Sequence, residues 1–337
     1  MISHADYPPA VIDDVVRLRR RLAGLPVKTS DRNLLIASWN IRALGALHAA
    51  FDENPGSPKR NLRALACIAE IVQRFDVVAV QEIKRETTAI RTLVDEFLGS
   101  EWSVILTDVT AGSSGNTERL GFVYDRRRVR PSGLAGEIVL PPTDAGDPAE
   151  QFDRTPYIVG FEAGGTRFSL VTAHIRFGEI PADRLPELQA FAGFTATELR
   201  DRARVNDREI GSVIVLGDFN IDERGDNSLF QAFVAKGLVV PEPLRGLKTT
   251  FGTQPKHYDQ IAWFMGSDMR LPFTSRARVV NFMGAVFKEL TPSETSFRMS
   301  DHFPLWAEFQ TDRSDTQMAV ARGLDPDSPD PFASILD

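Results

Sequence analysis

Val213-Ile214-Val215-Leu216-Gly217-Asp218-Phe219-Asn220 is the stretch whose reading decides the fold. Its first four residues form a compact apolar run, which reads as a buried strand. A run apolar at every position must be covered on both faces, and that belongs to a layered α/β domain. The run ends on a carboxylate. A buried carboxylate without a partner is very costly, so Asp218 must face a counter-group, a metal or water.

The same event recurs outward along the chain. Asn40 follows Leu35-Ile36-Ala37-Ser38-Trp39, and Glu82 follows Val77-Val78-Ala79-Val80-Gln81. His174 follows Leu170-Val171-Thr172-Ala173. Asp259 opens Gln260-Ile261-Ala262-Trp263, and Asp301-His302 precede Phe303-Pro304-Leu305. Strand ends along one rim of a sheet are natural places for a site. Any one of these residues could cap a turn, but six such interruptions at strand ends do not read as separate accidents.

Strands are also expected at Leu34–Trp39, Asp76–Val80, Trp102–Thr107, Leu120–Tyr124, Tyr157–Glu162, Phe168–Ala173, Tyr258–Phe264, Arg276–Asn281 and Pro304–Phe309. Helical spacing marks Val11–Leu22, Leu62–Phe75, Thr87–Leu98, Arg184–Arg204 and Ser228–Lys236. Gly24 and Pro26 end the first of these. Its four arginines, Arg17, Arg19, Arg20 and Arg21, read as a solvated face rather than a phosphate site. Thr110–Thr117 and Pro141–Pro156 read as long, functional loops. The chain is expected to divide into an N-terminal helical extension (1–30), a catalytic domain (31–312) and a flexible acidic tail (313–337).

At 337 residues, with 42% hydrophobic and 25% charged residues, the composition is that of a globular protein with a sizeable core. A formal net charge of -7 argues against a protein that coats nucleic acid by bulk charge, but not against a local basic cleft. Cys67 is the only cysteine, so no intramolecular disulfide forms, and its apolar setting reads as a buried small hydrophobe. Met1 to Pro9 is polar and no apolar run approaches membrane-spanning length, so a cytoplasmic protein is expected. Gly-x-Gly-x-x-Gly and Gly-x-x-x-x-Gly-Lys are both absent, which disfavours nucleotide-binding folds.

Asn40, Glu82, Asp218, Asn220 and Asp301 offer only oxygen ligands, a set that suits Mg²⁺, with Mn²⁺ or Ca²⁺ as alternatives, rather than zinc. His174 and His302 lack the spacing of a helical metal site and read as acid–base groups. Phosphodiester hydrolysis needs a nucleophilic water, charge neutralisation and a proton for the leaving oxygen. General acid–base work supplies roughly 10²–10⁴-fold. Typical enzymatic accelerations of about 10⁶–10¹⁷ require more, and a metal supplies it.

In this order, Ser38-Trp39-Asn40-Ile41, Val80-Gln81-Glu82-Ile83, Glu118-Arg119-Leu120-Gly121, Arg154-Thr155-Pro156, Thr172-Ala173-His174-Ile175, Gly217-Asp218-Phe219-Asn220, Tyr258-Asp259-Gln260-Ile261 and Ser300-Asp301-His302-Phe303-Pro304-Leu305 resemble the motifs of the endonuclease/exonuclease/phosphatase superfamily, in its deoxyribonuclease I-like branch. The resemblance covers roughly Leu34 to Gln310. It implies a four-layer α/β/β/α sandwich with two mixed β-sheets face to face. It implies metal-site roles for Asn40, Glu82 and Asp301, and a water- and phosphate-orienting role for Asp218 with Asn220. It implies acid–base roles for His302 held by Asp259 and for His174 held by Glu118, and a phosphate clamp at Arg154. Arg119 is left between a second clamp and a salt-bridge partner. Histidine at position 174 points away from abasic-site endonucleases, which carry asparagine there. The function expected is a metal-dependent hydrolase cutting DNA, helped by rim charges such as Lys84, Arg85, Arg126, Arg127 and Arg128. The alternative is a phosphoesterase acting on a lipid headgroup or small phosphorylated metabolite. For a lipid enzyme, Val286-Phe287 and Phe332–Leu336 are the candidate exposed apolar segments. With Glu82, Asp218, Asp259, Asp301 and His302 all present, a non-enzymatic binding module is disfavoured.

Overall fold

A computed structural model describes residues 1–29, 32–109, 117–142, 145–201, 210–266, 269–312, 314–325, 328 and 331–336. The loop expected at Thr110–Thr117 lies outside the described residues except for Thr117. Twelve strands are described: β1 (Asn33–Leu44), β2 (Val77–Lys84), β3 (Trp102–Leu106), β4 (Glu118–Asp125), β5 (Arg130–Glu137), β6 (Tyr157–Ala163), β7 (Thr166–His174), β8 (Ser212–Asp218), β9 (Leu238–Val239), β10 (Asp259–Phe264), β11 (Phe273–Val279) and β12 (Leu305–Gln310). They form two six-stranded sheets, ordered β11-β12-β1-β2-β4-β3 and β5-β6-β7-β8-β10-β9. Both sheets are mixed: β1 with β2 and β7 with β8 are parallel, and the other pairs are antiparallel.

The apolar runs explain the layering. Along β1, Leu34 and Ile36 enter the core between the sheets with Phe122, Phe161 and Leu216. Leu35, Ala37 and Trp39 point the other way and pack under helices. Those helices are α1 (Pro9–Leu22), α2 (Leu62–Val72) and α3 (Thr88–Thr92), the last widening into a π-helical turn at Leu93–Leu98. The second sheet is covered by α4 (Leu185–Phe194), which continues as a π-helical turn at Thr195–Arg200, and by the helix Ser228–Val234. The expected four-layer α/β/β/α sandwich is the architecture found. Below its rim, Gln81 pins the sheets together: its Nε2 donates to Thr172 Oγ1 at 2.9 Å and to Ser38 Oγ at 3.3 Å.

Helix α1 buries Val11, Val15, Leu18 and Leu22. Its arginines serve protein contacts: Arg17 Nε donates to the Ala285 carbonyl at 2.9 Å, and Arg19 Nε to Glu70 Oε2 at 2.8 Å. In the tail, Ser314–Arg322 is helical and Ala319 is buried.

Several expectations need correction. Strand β5 was not expected, because it is a half-exposed edge containing Pro131, Gly133 and Gly136 and no apolar run. The helix expected at Arg184–Arg204 begins as a 3₁₀ turn at Pro181–Arg184, and its end beyond Asp201 lies outside the described residues. Val286 and Phe287 are buried, so they form no exposed apolar hairpin. Arg126, Arg127 and Arg128 follow the far end of β4, whose first residue, Glu118, sits at the polar rim. The two ends of this eight-residue strand are seven steps of about 3.4 Å apart, roughly 24 Å. There Arg127 and Arg128 neutralise Asp125 and Asp76. No helix among the described residues is long and apolar enough to cross a membrane.

Gly217 lets β8 approach β7. A Cβ there would stand 2.1 Å from the Ala173 carbonyl oxygen, and its φ of +151° lies outside the range of ordinary side-chain-bearing residues. Gly217→Ala is expected to cost roughly 2–5 kcal/mol, combining overpacking with backbone strain. Urea unfolding measures this; an unchanged midpoint contradicts the close approach.

Candidate active site

Sheet register gathers the polar strand ends. Asp218, the last residue of β8, is paired with His174 on one side and with Asp259 on the other. Asp218 is only 2% exposed. Its Oδ2 accepts from Asn40 Nδ2 at 3.0 Å, and its Oδ1 from the Asn220 backbone N–H at 3.0 Å. The imidazoles of His174 and His302 place Nε2 at 3.6 and 3.8 Å from Oδ2. Asn220 takes φ +50°, a left-handed turn that asparagine tolerates, and its Nδ2 donates to the Ile175 carbonyl at 2.7 Å.

His302 Nδ1 lies 2.8 Å from Asp259 Oδ2. Burial opposes a charge on this ring, but the carboxylates of Asp259 and Asp218 outweigh burial and hold His302 above the ordinary imidazole range. Burial likewise pushes up the carboxyl of Asp259. For Asp218, burial acts upward, yet His302, His174 and the Asn40 amide more than offset it and keep the group ionised.

Glu82 stands where the ladders break. The registers of β1 with β2 and of β2 with β4 both shift beside it, and it takes φ +60°. Its Oε1 accepts from Asn40 Nδ2 at 3.0 Å and its Oε2 from the Ala43 N–H at 2.9 Å. Asp301 is 3.7 Å from Arg42 Nη1, with its side chain 43% exposed. Buried Arg60 feels both Glu82 and Asp301.

The residues present fit a hard cation. Of six buried side-chain polar atoms without a hydrogen-bond partner among the described residues, three lie here: Asn40 Oδ1, Asp259 Oδ1 and His174 Nδ1. Asn40 Oδ1 is a carboxamide oxygen beside two carboxylates with nothing donating to it, which is oxygen-ligand chemistry. Asp218, Asp259 and His302 also bring ligating atoms within 4.8 Å of one another. A hard cation prefers oxygen over imidazole nitrogen, so the oxygen set around Asn40 and Glu82 is the better fit.

Glu118 anchors the other histidine in different company. Its Oε2 lies 3.1 Å from His174 Nδ1, off the line of a hydrogen bond, and accepts from Arg154 Nε at 2.7 Å. Its Oε1 accepts from Lys84 Nζ at 2.7 Å, and Lys84 is its register partner on β2. Burial acts upward on Glu118, but His174, Arg154 and Lys84 overcome it and push the group down to about 2. Arg154 is thus a buried partner of Glu118 rather than an exposed loop cation. Arg119 reaches neither group; its Nη1 donates to the carbonyls of Lys84 and Arg85.

Residues 37–259 match the Endonuclease/Exonuclease/phosphatase family. The chain belongs to that family. As a member it is a hydrolase of phosphoester bonds. A Thioalkalivibrio sp. (strain K90mix) protein named Deoxyribonuclease is 28% identical over 290 residues, covering 82% of this chain and 71% of that one. Similar solved structures include the human Nocturnin catalytic domain with bound sulfate anion (TM-score 0.54, 16% identity, 84% of this chain and 96% of that one). They also include D. rerio TDP2 complexed with single strand DNA product (TM-score 0.53, 16% identity, 82% and 98%). A third is Bacteroides thetaiotaomicron mannosyl-6-phosphatase (TM-score 0.52, 18% identity, 82% and 99%). At these identities the three structures speak to the fold.

The roles of four residues at this family site do not follow from the sequence, although Trp39 and Ser300 lie within the motifs that carry the resemblance. Trp39 Nε1 donates to the His302 carbonyl at 2.9 Å. Ser300 Oγ donates to the Asn40 carbonyl at 2.6 Å and accepts from the His302 N–H at 2.9 Å. Arg184, buried, donates to the Asn220 carbonyl at 2.7 Å. Lys84 was read only as a rim charge.

Glu118 makes a prediction about acid. Its carboxyl is ionised in both folded and unfolded chains near neutrality, and its ion pairs then contribute fully. As pH falls through the ordinary glutamate value of 4.5, the unfolded chain takes up the proton first, and the contribution is lost by about 2. The difference corresponds to on the order of 3 kcal/mol. Urea unfolding of wild type and Glu118→Gln at neutral pH and at about pH 2 is expected to show the wild-type advantage shrinking by that amount. A pH-independent difference contradicts the assignment.

Proposed function

We propose that this family member is a divalent-metal-dependent phosphodiesterase that cuts DNA. The observation that carries the reading is convergence on one oxygen: Asp218 Oδ2 faces the Asn40 amide at 3.0 Å and two imidazole Nε2 atoms at 3.6 and 3.8 Å. Two proton-carrying groups then flank one carboxylate, which is the set a hydrolytic P–O cleavage needs.

In the reaction a water oxygen bonds to phosphorus while the bond to the leaving oxygen breaks. Asp218, oriented by Asn220, aligns the water and receives its proton. His302, braced by Asp259, carries a proton at Nε2 and delivers it to the leaving oxygen. His174, 3.1 Å from the Glu118 carboxylate, donates to a phosphoryl oxygen. Arg154 adds positive charge beside that dyad. Asn40, Glu82 and Asp301 would hold Mg²⁺ or Mn²⁺, which supplies charge stabilisation to the phosphoryl oxygens.

DNA is favoured because a relative 28% identical to this chain is named Deoxyribonuclease and because a neighbour in fold, D. rerio TDP2, is complexed with single strand DNA product. Lys84, Arg85 and Arg119 place cations beside the same rim. The burial of Val286 and Phe287 removes one apolar segment that a lipid headgroup enzyme would have used.

Incubation of plasmid DNA with the protein and Mg²⁺ or Mn²⁺ is expected to nick it, and a chelator to stop nicking. DNA left intact under Mg²⁺, Mn²⁺ and Ca²⁺, with phosphate released from small phosphoesters instead, overturns the substrate. His302→Ala is expected to lower kcat by roughly 10²–10⁴ while unfolding stays cooperative. Glu82→Gln is expected to raise the metal concentration for half-activity by about 10-fold or more. Metal response unchanged in Glu82→Gln contradicts the oxygen set.

A further inference from the structure

Twelve large apolar side chains are prominently exposed among the described residues, and only two of them are aromatic: Phe177, at 55%, and Phe297, at 49%. Both flank the candidate site. Phe177 lies three residues after His174, and Phe297 four residues before Asp301. Each ring has an arginine against its face.

Arg184 places its guanidinium carbon 4.5 Å from the Phe177 centroid. Arg184 is itself buried, and it donates through Nε to the Phe177 carbonyl at 2.7 Å and through Nη1 to the Asn220 carbonyl and Asp222. The exposed ring is therefore tethered to the Asp218–Asn220 turn. Its edge meets Tyr258 at 6.2 Å between centroids, and Tyr258 in turn lies 6.0 Å from His302.

Arg42 lies 4.0 Å from the Phe297 centroid. It donates to Ser296 Oγ at 2.6 Å and stands 3.7 Å from Asp301. One chain of contacts thus runs from Phe177 through Tyr258, His302, Asp301 and Arg42 to Phe297, with the reactive groups in the middle. Beside Phe297, helix Pro292–Arg298 shares with Phe251, Met283 and Asp301 the walls of a cavity of about 630 Å³. That volume falls within the roughly 300–1,000 Å³ of small-ligand pockets, and an unpaired base is small enough to enter it.

We propose that Phe177 and Phe297 are stacking platforms for unpaired bases on either side of the scissile phosphate, so that single-stranded nucleic acid is cut in preference to duplex. This rests on the nuclease reading above. Anchored, exposed rings backed by arginine bind the faces of bases, and a base paired and stacked within a duplex has no free face to offer. A contact chain with one ring at each end and the reactive groups between them fits a strand passing across it, whereas insertion into a lipid surface would call for one contiguous apolar patch.

The test uses the full chain, a short oligonucleotide and its duplex of the same sequence. With metal, the single strand is expected to be cut with a kcat/KM about tenfold or more above the duplex. Phe177→Ala and Phe297→Ala are each expected to raise KM on the single strand by about tenfold, more than they change kcat; stacking energies per base support that size. Tryptophan at either position is expected to keep KM near wild type, and leucine is not. In chelator, anisotropy of a labelled single strand provides a readout that needs no turnover, and both alanine variants are expected to weaken binding. Equal or better cleavage of duplex, or single-strand binding unchanged in both alanine variants, overturns the stacking role while leaving the nuclease reading intact. Phosphatidylcholine vesicle binding that disappears in both alanine variants would assign the rings to a lipid surface and overturn it as well. If the wild type cuts neither oligonucleotide, the nuclease reading fails and this inference fails with it.

Discussion

Asp218 keeps a negative charge where water scarcely reaches it, and the surroundings must supply what water would have given. The effective penalty for burying such an ion is several kcal/mol or so even after relaxation. Two N–H groups and two imidazoles meet it here, and they come from four separate segments: β1, β7, the turn after β8 and the residues before β12. Each of those segments has to end or turn at one point. The parallel pairing of β7 with β8 and the antiparallel pairing of β8 with β10 put His174, Asp218 and Asp259 level. Gly217 permits the approach, and the Trp39 and Ser300 hydrogen bonds lock the segment carrying Asp301 and His302 against the end of β1.

The two histidines are not equivalent. His302 pairs with an aspartate that is wholly buried and has one oxygen without a partner among the described residues. His174 faces a glutamate that also serves Arg154 and Lys84. Arg154 and Lys84 thus converge on the His174–Glu118 pair, while Arg42 and Arg60 stand beside the oxygen-rich corner of Asn40, Glu82 and Asp301.

Much of this was legible in the sequence, for a definite reason. A polar residue that bounds an apolar run contradicts the local pattern, and Asn40, Glu82, His174, Asp218, Asp259 and Asp301 each did so. Most of the strands were visible because both faces are buried, and β5 was missed because it is a half-exposed edge with no apolar run. What escaped was information carried by register and by the ends of elements. Nothing local tells that Lys84 stands opposite Glu118, that Arg184 reaches Asn220, or that Arg126, Arg127 and Arg128 lie beyond the wrong end of β4. Arginine looks the same in sequence whether it sits beneath an aromatic ring, as Arg184 and Arg42 do, or neutralises a buried aspartate, as Arg128 does. The left-handed turn at Glu82 is likewise a consequence of two ladders breaking together, and no glycine announces it.

The central claim is that the Asp218 carboxylate is the shared chemical centre rather than a structural cap. Asp218→Asn keeps the shape and the hydrogen-bonding size of the side chain while removing its charge, so single-turnover cleavage by this variant is the most direct measurement. The amide keeps one accepting oxygen, so a cap loses either the bond from Asn40 or that from the Asn220 N–H and keeps the other, whereas a proton acceptor flanked by two imidazoles is lost altogether. The account expects a drop in the chemical rate of roughly 10²–10⁴ with a cooperatively unfolding protein. A rate within a few-fold of wild type would contradict it.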